Sequence, residues 1–142
     1  MYRKGSHSIY DLKYHIIWCT KYRYRVLLGE VAHRARELIR EVGAANYVDI
    51  LSGSLSPDHI HILVSVPPSL PLSKLVQYMK GKSSRKLLME FPTLRKRYWG
   101  QHLWARGYFA VTVGNLNQQQ VQEYIENQEL HHTKDDFRIS DY

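Results

Sequence analysis

The stretch Ser56-Pro57-Asp58-His59-Ile60-His61-Ile62-Leu63-Val64-Ser65-Val66 constrains this chain more than any other. Pro57-Asp58 is turn chemistry, because proline fixes its own φ and aspartate tolerates tight bends. Beyond the turn, Ile60, Ile62, Val64 and Val66 recur at every second position, the period of a strand with one face in a core. His59, His61, Leu63 and Ser65 then share the opposite face. Two imidazoles project side by side at the start of a strand, next to a loop, and such places often carry sites. The pair reads in two ways. It is either two surface histidines on a half-exposed strand or part of a metal site, since neutral imidazole binds divalent cations well. Two histidines do not complete a coordination shell, so the metal reading requires a third ligand elsewhere.

The 142 residues suit one domain, 1–142, with a core of useful size. Met1 to Ser8 is short, polar and basic, and reads as frayed. Ile9 to Cys19 alternates, with Tyr10, Leu12, Tyr14, Ile16 and Trp18 on one face and Asp11, Lys13, His15 and Ile17 on the other: a long first strand. Glu30 to Val42 is a helix with a stripe of Val31, Ala35, Leu38, Ile39 and Val42, and Gly43 is the expected stop. Tyr47 to Ser54 is a second strand, and the short turn after it favours an antiparallel hairpin. Pro67-Pro68 ends the histidine strand. A helix starts at Ser69 to Pro71 and runs to about Glu90, burying Leu72, Leu75, Val76, Met79, Ser83 and Leu87. Gln101 to Gly114 holds the last strand. A final helix, about 117–130, starts at the N-cap Asn117, with Gln120 placed as in a capping box.

Charge bears on partners. The chain has 20 Lys and Arg against 13 Asp and Glu, a net charge of +7, together with 11 Tyr and 3 Trp. Basic charge mixed with flat aromatic surface suits a nucleic-acid backbone and unstacked bases, although a merely basic protein has the same balance. Lys21, Tyr22, Arg23, Tyr24 and Arg25 form one such patch, and equally suit a solvated loop whose tyrosines cover the core edge. Lys74, Tyr78, Gly81, Lys82 and Arg85 form a second stripe along the polar side of the 72–90 helix. No acidic residue lies between Lys74 and Glu90, so local i,i+4 ion pairing does not explain it, and a phosphate-tracking surface is expected. The single Cys19 excludes an internal disulfide framework and a Cys-rich zinc site. The sequence has no apolar run near 18 residues and no signal-peptide core, which predicts a cytoplasmic setting with no membrane association.

The last predicted helix offers the missing ligand. Tyr124 and Gln128 stand at i and i+4, one turn apart on the same face. The glutamine can offer a carbonyl oxygen to a metal, and the tyrosine a phenol beside it. Each alone has a plainer reading, packing for the tyrosine and solvation for the glutamine, so the case depends on coincidence with the His pair.

Five blocks together resemble a known family: Lys13-Tyr14-His15-Ile16-Ile17-Trp18, Pro57-Asp58-His59-Ile60-His61, Met79-Lys80-Gly81-Lys82-Ser83-Ser84, Trp104-Ala105-Arg106-Gly107-Tyr108-Phe109 and Tyr124-Ile125-Glu126-Asn127-Gln128. In this order they look like the small single-tyrosine HUH transposases of the insertion-sequence 200/605 type. The resemblance implies an α/β, ferredoxin-like or RRM-like sandwich, with a central antiparallel sheet and helices packed on it. It implies cleavage and rejoining of single-stranded DNA at hairpins near element ends. It also implies a homodimer in which the tyrosine helix of one subunit can complete the other's site. By the same resemblance, His59, His61 and Gln128 hold Mg²⁺ or Mn²⁺, and Tyr124 is the nucleophile. Similar DNA-binding surfaces fall on Lys21, Arg23 and Arg25 and on Lys74, Tyr78, Lys82 and Arg85.

The implied chemistry is physically reasonable. A free phenol is ionised to only about one part in a thousand at pH 7, so it needs help to act as a nucleophile. Oxygen ligands plus histidine, with room for phosphate oxygens, suit Mg²⁺ or Mn²⁺ better than a closed zinc site. Two other readings stand beside it. One is a non-catalytic RRM-like single-strand-binding module, suggested by Arg106-Gly107-Tyr108-Phe109-Ala110-Val111. The other is a domesticated relative acting on chromosomal palindromic repeats. A zinc hydrolase is more distant, since the sequence shows no evident acidic general base near the His pair.

Overall fold

The computed structural model of the chain describes residues 3–4, 9–113 and 138–139. Its strands are β1 (Arg3–Lys4), β2 (Ile9–Tyr10), β3 (Lys13–Cys19), β4 (Asp49–Ser56), β5 (His59–Ser65), β6 (Phe109–Thr112) and β7 (Arg138–Ile139). Its helices are α1 (Gly29–Ala45), α2 (Leu72–Glu90) and the short α3 (Pro92–Arg97). The main sheet runs β6-β3-β5-β4-β7. The first four of these are antiparallel to their neighbours, and β7 adds a parallel edge at Ser54–Leu55. Read along the chain, β3-α1-β4-β5-α2-β6 is the ferredoxin-like order. The histidine strand β5 is therefore central.

Alternation decides which face is core. Ile60, Ile62 and Val64 of β5, Ile16 and Trp18 of β3 and Leu55 of β4 pack against Ala35, Leu38 and Ile39 of α1 and Leu75, Val76 and Met79 of α2. Each such buried aliphatic contributes about 1.5–3 kcal/mol relative to exposure. Both long helices thus lie on the face opposite the one that carries His59 and His61. Arg34 of α1 clasps Glu90 of α2 through two hydrogen bonds of 2.8 and 3.0 Å, joining the helices at their outer edge. Among the described residues no helix is long and apolar enough to cross a membrane.

Several boundaries differ from expectation. The long first strand is broken at Asp11–Leu12, because Ile9–Tyr10 pairs instead with Arg3–Lys4. Arg3, expected to be frayed, is tied down: its guanidinium donates to the carbonyls of Ser65 and Tyr47, both at 2.7 Å. Gly43 does not stop its helix. It lies inside α1, where a Cβ would sit 3.3 Å from Ile50 Cδ1, so its role there is close approach to β4. The Pro57–Asp58 turn does join β4 and β5 as an antiparallel hairpin.

The last strand is much shorter than Gln101–Gly114, because residues 102–107 are fastened to α2 instead. Trp104 Nε1 donates to Ser83 Oγ at 2.8 Å, Leu103 N donates to Ser84 Oγ at 3.1 Å, and Lys80 Nζ donates to the carbonyls of Ala105 (2.8 Å) and Gly107 (2.9 Å). Gly107, at φ +80°, supplies the turn into β6. The Met79–Ser84 and Trp104–Phe109 blocks are thus partners in one structural joint.

Candidate active site

His61 stands between Ile17 of β3 and Ser54 of β4, and His59 between Cys19 and Ser56. Their exposures are 4% and 0%, which removes the reading as surface histidines. Burying polar rings is costly without partners, and the sheet supplies one from the neighbouring strand. His15 Nδ1 lies 3.0 Å from His61 Nε2, with the two rings tilted by 43° and their centroids 5.2 Å apart.

The turn before β5 supplies an acid. Asp58 is 3% exposed, with Oδ1 3.5 Å from His59 Nδ1 and Oδ2 3.6 Å from Arg23 Nη2. The Asp58 carbonyl accepts from Thr20 N at 2.9 Å, and the Pro57 carbonyl accepts from Leu27 N at 2.9 Å. The basic turn therefore lies against the base of the histidine strand. Tyr22 and Arg23 take left-handed backbone at φ 61° and 54°, a conformation uncommon for residues with side chains. That strain turns the chain back so that Arg23 reaches Asp58.

The two tyrosines of the basic turn are placed differently. Tyr24 covers the core edge, its ring 5.4 Å from that of Tyr98 and tilted by 44°, with the Arg97 guanidinium 4.0 Å from its centroid. Tyr22 is exposed, with Lys21 Nζ 5.3 Å from its ring centroid. Arg25 is exposed beside them.

Along α2, Lys74, Tyr78, Gly81 and Arg85 are exposed. Lys82 differs, because its Nζ donates to Glu41 of α1 at 3.1 Å. The acid missing between Lys74 and Glu90 is supplied to Lys82 by the neighbouring helix. A basic trough of about 890 Å³ flanks α2, lined by Lys21, Lys80, Gly81, Arg85 and Arg106 among others. Burial holds the Lys80 ammonium's pKa below the usual lysine value. The α2 stripe lies on the helix side of the sheet and is not brought to the imidazoles. Lys21 links the two regions, since it lines the trough and opens the turn that ends at Asp58.

A divalent cation fits this donor set in part. Two buried imidazoles at adjacent same-face positions offer nitrogen ligands, and Asp58 beside His59 is the kind of outer partner that orients a ligating ring. Among the described residues no three His, Cys, Asp or Glu side chains converge on one point, so further ligands must come from elsewhere. Tyr124 and Gln128, the other two expected members, lie outside the described residues.

Three residues escaped sequence reading. Asp58 reads as turn chemistry, yet it is a buried acid next to His59. His15 is legible only once β3 is paired with β5. Lys80 sits between Met79 and Gly81 in a run of basic residues, and nothing local marks it as the one that bonds the 105–107 carbonyls.

Residues 8–128 match the family model described as "Transposase IS200 like". The chain is 38% identical over 126 residues to the ISDra2 transposase TnpA of Deinococcus radiodurans, covering 89% of this chain and 90% of the relative. It is 36% identical over 123 residues to the transposase for insertion sequence element IS200 of Salmonella typhimurium, covering 87% and 80%. A crystal structure of a candidate transposase from Deinococcus radiodurans R1 superposes with a TM-score of 0.79 at 36% identity, over 89% of this chain and 97% of that one. A REP-associated tyrosine transposase bound to a REP hairpin shares the fold, with a TM-score of 0.55 at 14% identity over 89% and 69% of the two chains.

Proposed function

The chain belongs to the IS200-like transposase family, and on that premise we propose that it cuts and rejoins single-stranded DNA at hairpin-bearing element ends through a 5′-phosphotyrosine on Tyr124. The observation that carries this reading is the buried pair His59 and His61, side by side at the start of the central strand with Arg23 and Asp58 against it. An RRM-like binding module has no use for two buried imidazoles beside a buried carboxylate.

The Tyr124 oxygen attacks the scissile phosphorus, the bond from phosphorus to the 3′ oxygen breaks, and the departing strand leaves with a 3′-OH. One phosphodiester replaces another, so no nucleotide cofactor is consumed. A second 3′-OH attacking the phosphotyrosine reverses the step and joins strands. His59 and His61, with Gln128, would hold Mg²⁺ or Mn²⁺. The bound ion supplies charge neutralisation on the phosphate and alignment for in-line attack. Asp58 orients the His59 ring, and Arg23 keeps the Asp58 carboxylate in place. Lys21, Arg23 and Arg25 contact phosphates next to the cleavage point, with Tyr22 as a stacking surface. Lys74, Tyr78, Lys82 and Arg85 hold DNA further away, across the sheet, and Lys82 does so while shared with Glu41. The curated relatives are insertion-sequence transposases, which favours a mobile element's own enzyme over one acting on chromosomal repeats.

The reading is tested with labelled single-stranded hairpin DNA from the element ends. We expect cleavage with Mg²⁺ or Mn²⁺, none with EDTA or fully duplex DNA, and none from His59→Ala. Tight binding without cleavage under any metal would return the chain to the binding-module class. A homodimer with shared sites predicts that Tyr124→Phe and His59→Ala subunits, each inactive, regain cleavage when mixed. No recovery would place both groups in one subunit.

A further inference from the structure

The pairing of β3 with β5 places His15 opposite Leu63 and Ile17 opposite His61. His15 and His61 are therefore diagonal neighbours on one face, a separation that long or aromatic side chains span in a sheet. Here they do: His15 Nδ1 lies 3.0 Å from His61 Nε2, and both residues are buried, at 9% and 4% exposure. Among the described residues no three His, Cys, Asp or Glu side chains converge on one point, so His15 does not form a three-residue set with His59 and His61. Its contact is with the ring of His61.

We propose that His15 is a positioning residue that fixes the ring plane of His61, and through it the geometry of the divalent-cation site. The proposal rests on the reading of His59 and His61 as ligands given above. An imidazole on a strand turns about two side-chain bonds, and a hydrogen bond to one ring nitrogen arrests the outer one. The adjacent His59 has the Asp58 carboxylate 3.5 Å from its Nδ1, so each imidazole has a polar neighbour, one from the turn and one from the next strand. Outer partners of this type typically change metal affinity about 10- to 100-fold when removed.

The test uses the full-length protein, with Mn²⁺ as the probe and free Mn²⁺ followed by electron paramagnetic resonance. His59→Ala serves as the control for the ligand reading. His15→Phe keeps the ring and removes the nitrogen; His15→Asn keeps a polar atom at the position of Nδ1 that donates or accepts. We expect His15→Phe to unfold thermally like wild type but to bind Mn²⁺ about 10-fold or more weakly, with His15→Asn close to wild type. Wild-type affinity in His15→Phe overturns the proposal while leaving the ligand reading intact. Equal losses in His15→Phe and His15→Asn overturn it as well. Failure of the wild type to bind Mn²⁺ removes both readings. If His15→Phe does not fold, the wild type decides by nitrogen NMR with Zn²⁺ as a diamagnetic probe. A ¹⁵N–¹⁵N coupling across the His15–His61 hydrogen bond that persists when Zn²⁺ is bound supports the proposal, and its loss on binding overturns it.

Discussion

Asp58 bridges the histidine strand and the basic turn: one carboxylate oxygen lies 3.5 Å from His59 Nδ1 and the other 3.6 Å from Arg23 Nη2. The group is buried, so its charge acts on its neighbours with little screening by water. Asp58→Asn keeps the shape and removes the charge. If Asp58 orients His59 as a ligand, Mn²⁺ affinity and metal-dependent cleavage should both fall about 10-fold or more. Unchanged Mn²⁺ affinity, measured by titration, would leave Asp58 a purely structural anchor of the turn.

Gly81 tests the α2 surface. It sits inside a helix, where glycine costs about 1 kcal/mol relative to alanine. Among the described residues nothing outside its own helical turn lies within 4 Å of where its Cβ would be, so packing among them does not require it. Gly81 and Arg85 line both the trough beside α2 and a second hollow of about 520 Å³ towards the end of α1, so the two run together over this residue. Gly81→Ala should raise stability by about 1 kcal/mol and weaken single-stranded DNA binding, read by thermal unfolding and fluorescence anisotropy. A stabilised variant with unchanged DNA affinity would take α2 out of the DNA path.

Lys80 tests the joint between α2 and the 102–107 segment. Its ammonium donates to two carbonyls, and hydrogen bonds from charged groups contribute about 1.5–3 kcal/mol. Lys80→Met should destabilise the fold by about 2 kcal/mol and speed hydrogen exchange at residues 105–108 more than elsewhere. Uniform exchange across the sheet would show that the joint does not order this segment locally.

Alkaline pH tests Tyr98. Burial pushes its phenol up to about 12 from the ordinary 10, and its hydroxyl donates to the Lys21 carbonyl at 3.2 Å. A folded-state pKa above the unfolded one means the neutral form is favoured by folding. That contribution is complete below pH 10 and lost as pH rises towards 12. Wild type should lose more stability than Tyr98→Phe between pH 10 and 12, in denaturant titrations. Parallel curves would contradict it.

Sequence periodicity revealed the parts of this fold that periodicity governs. Ile60, Ile62 and Val64 alternate because β5 has one face in the core, and the stripes of α1 and α2 repeat every 3.6 residues because each buries one side. The same alternation put His59 and His61 together before any pairing was known. What stayed hidden depends on contacts between distant residues. Lys82 needs Glu41, Arg3 needs Ser65 and Tyr47, and His15 needs the β3–β5 register. The sequence 102–113 looks like one strand because Leu103, Trp104, Tyr108 and Phe109 are strand formers, but Ser83, Ser84 and Lys80 take its first half for α2. Edge strand β7 is two residues long, too short to carry a pattern.

The proposed reaction joins Tyr124 covalently to DNA. The direct measurement incubates end-labelled single-stranded hairpin DNA with Mg²⁺ and protein and separates the products under denaturing conditions. A labelled protein–DNA adduct in wild type, lost with EDTA and absent in Tyr124→Phe, is the predicted result. Cleavage that leaves no adduct, or an adduct that survives in Tyr124→Phe, would contradict it.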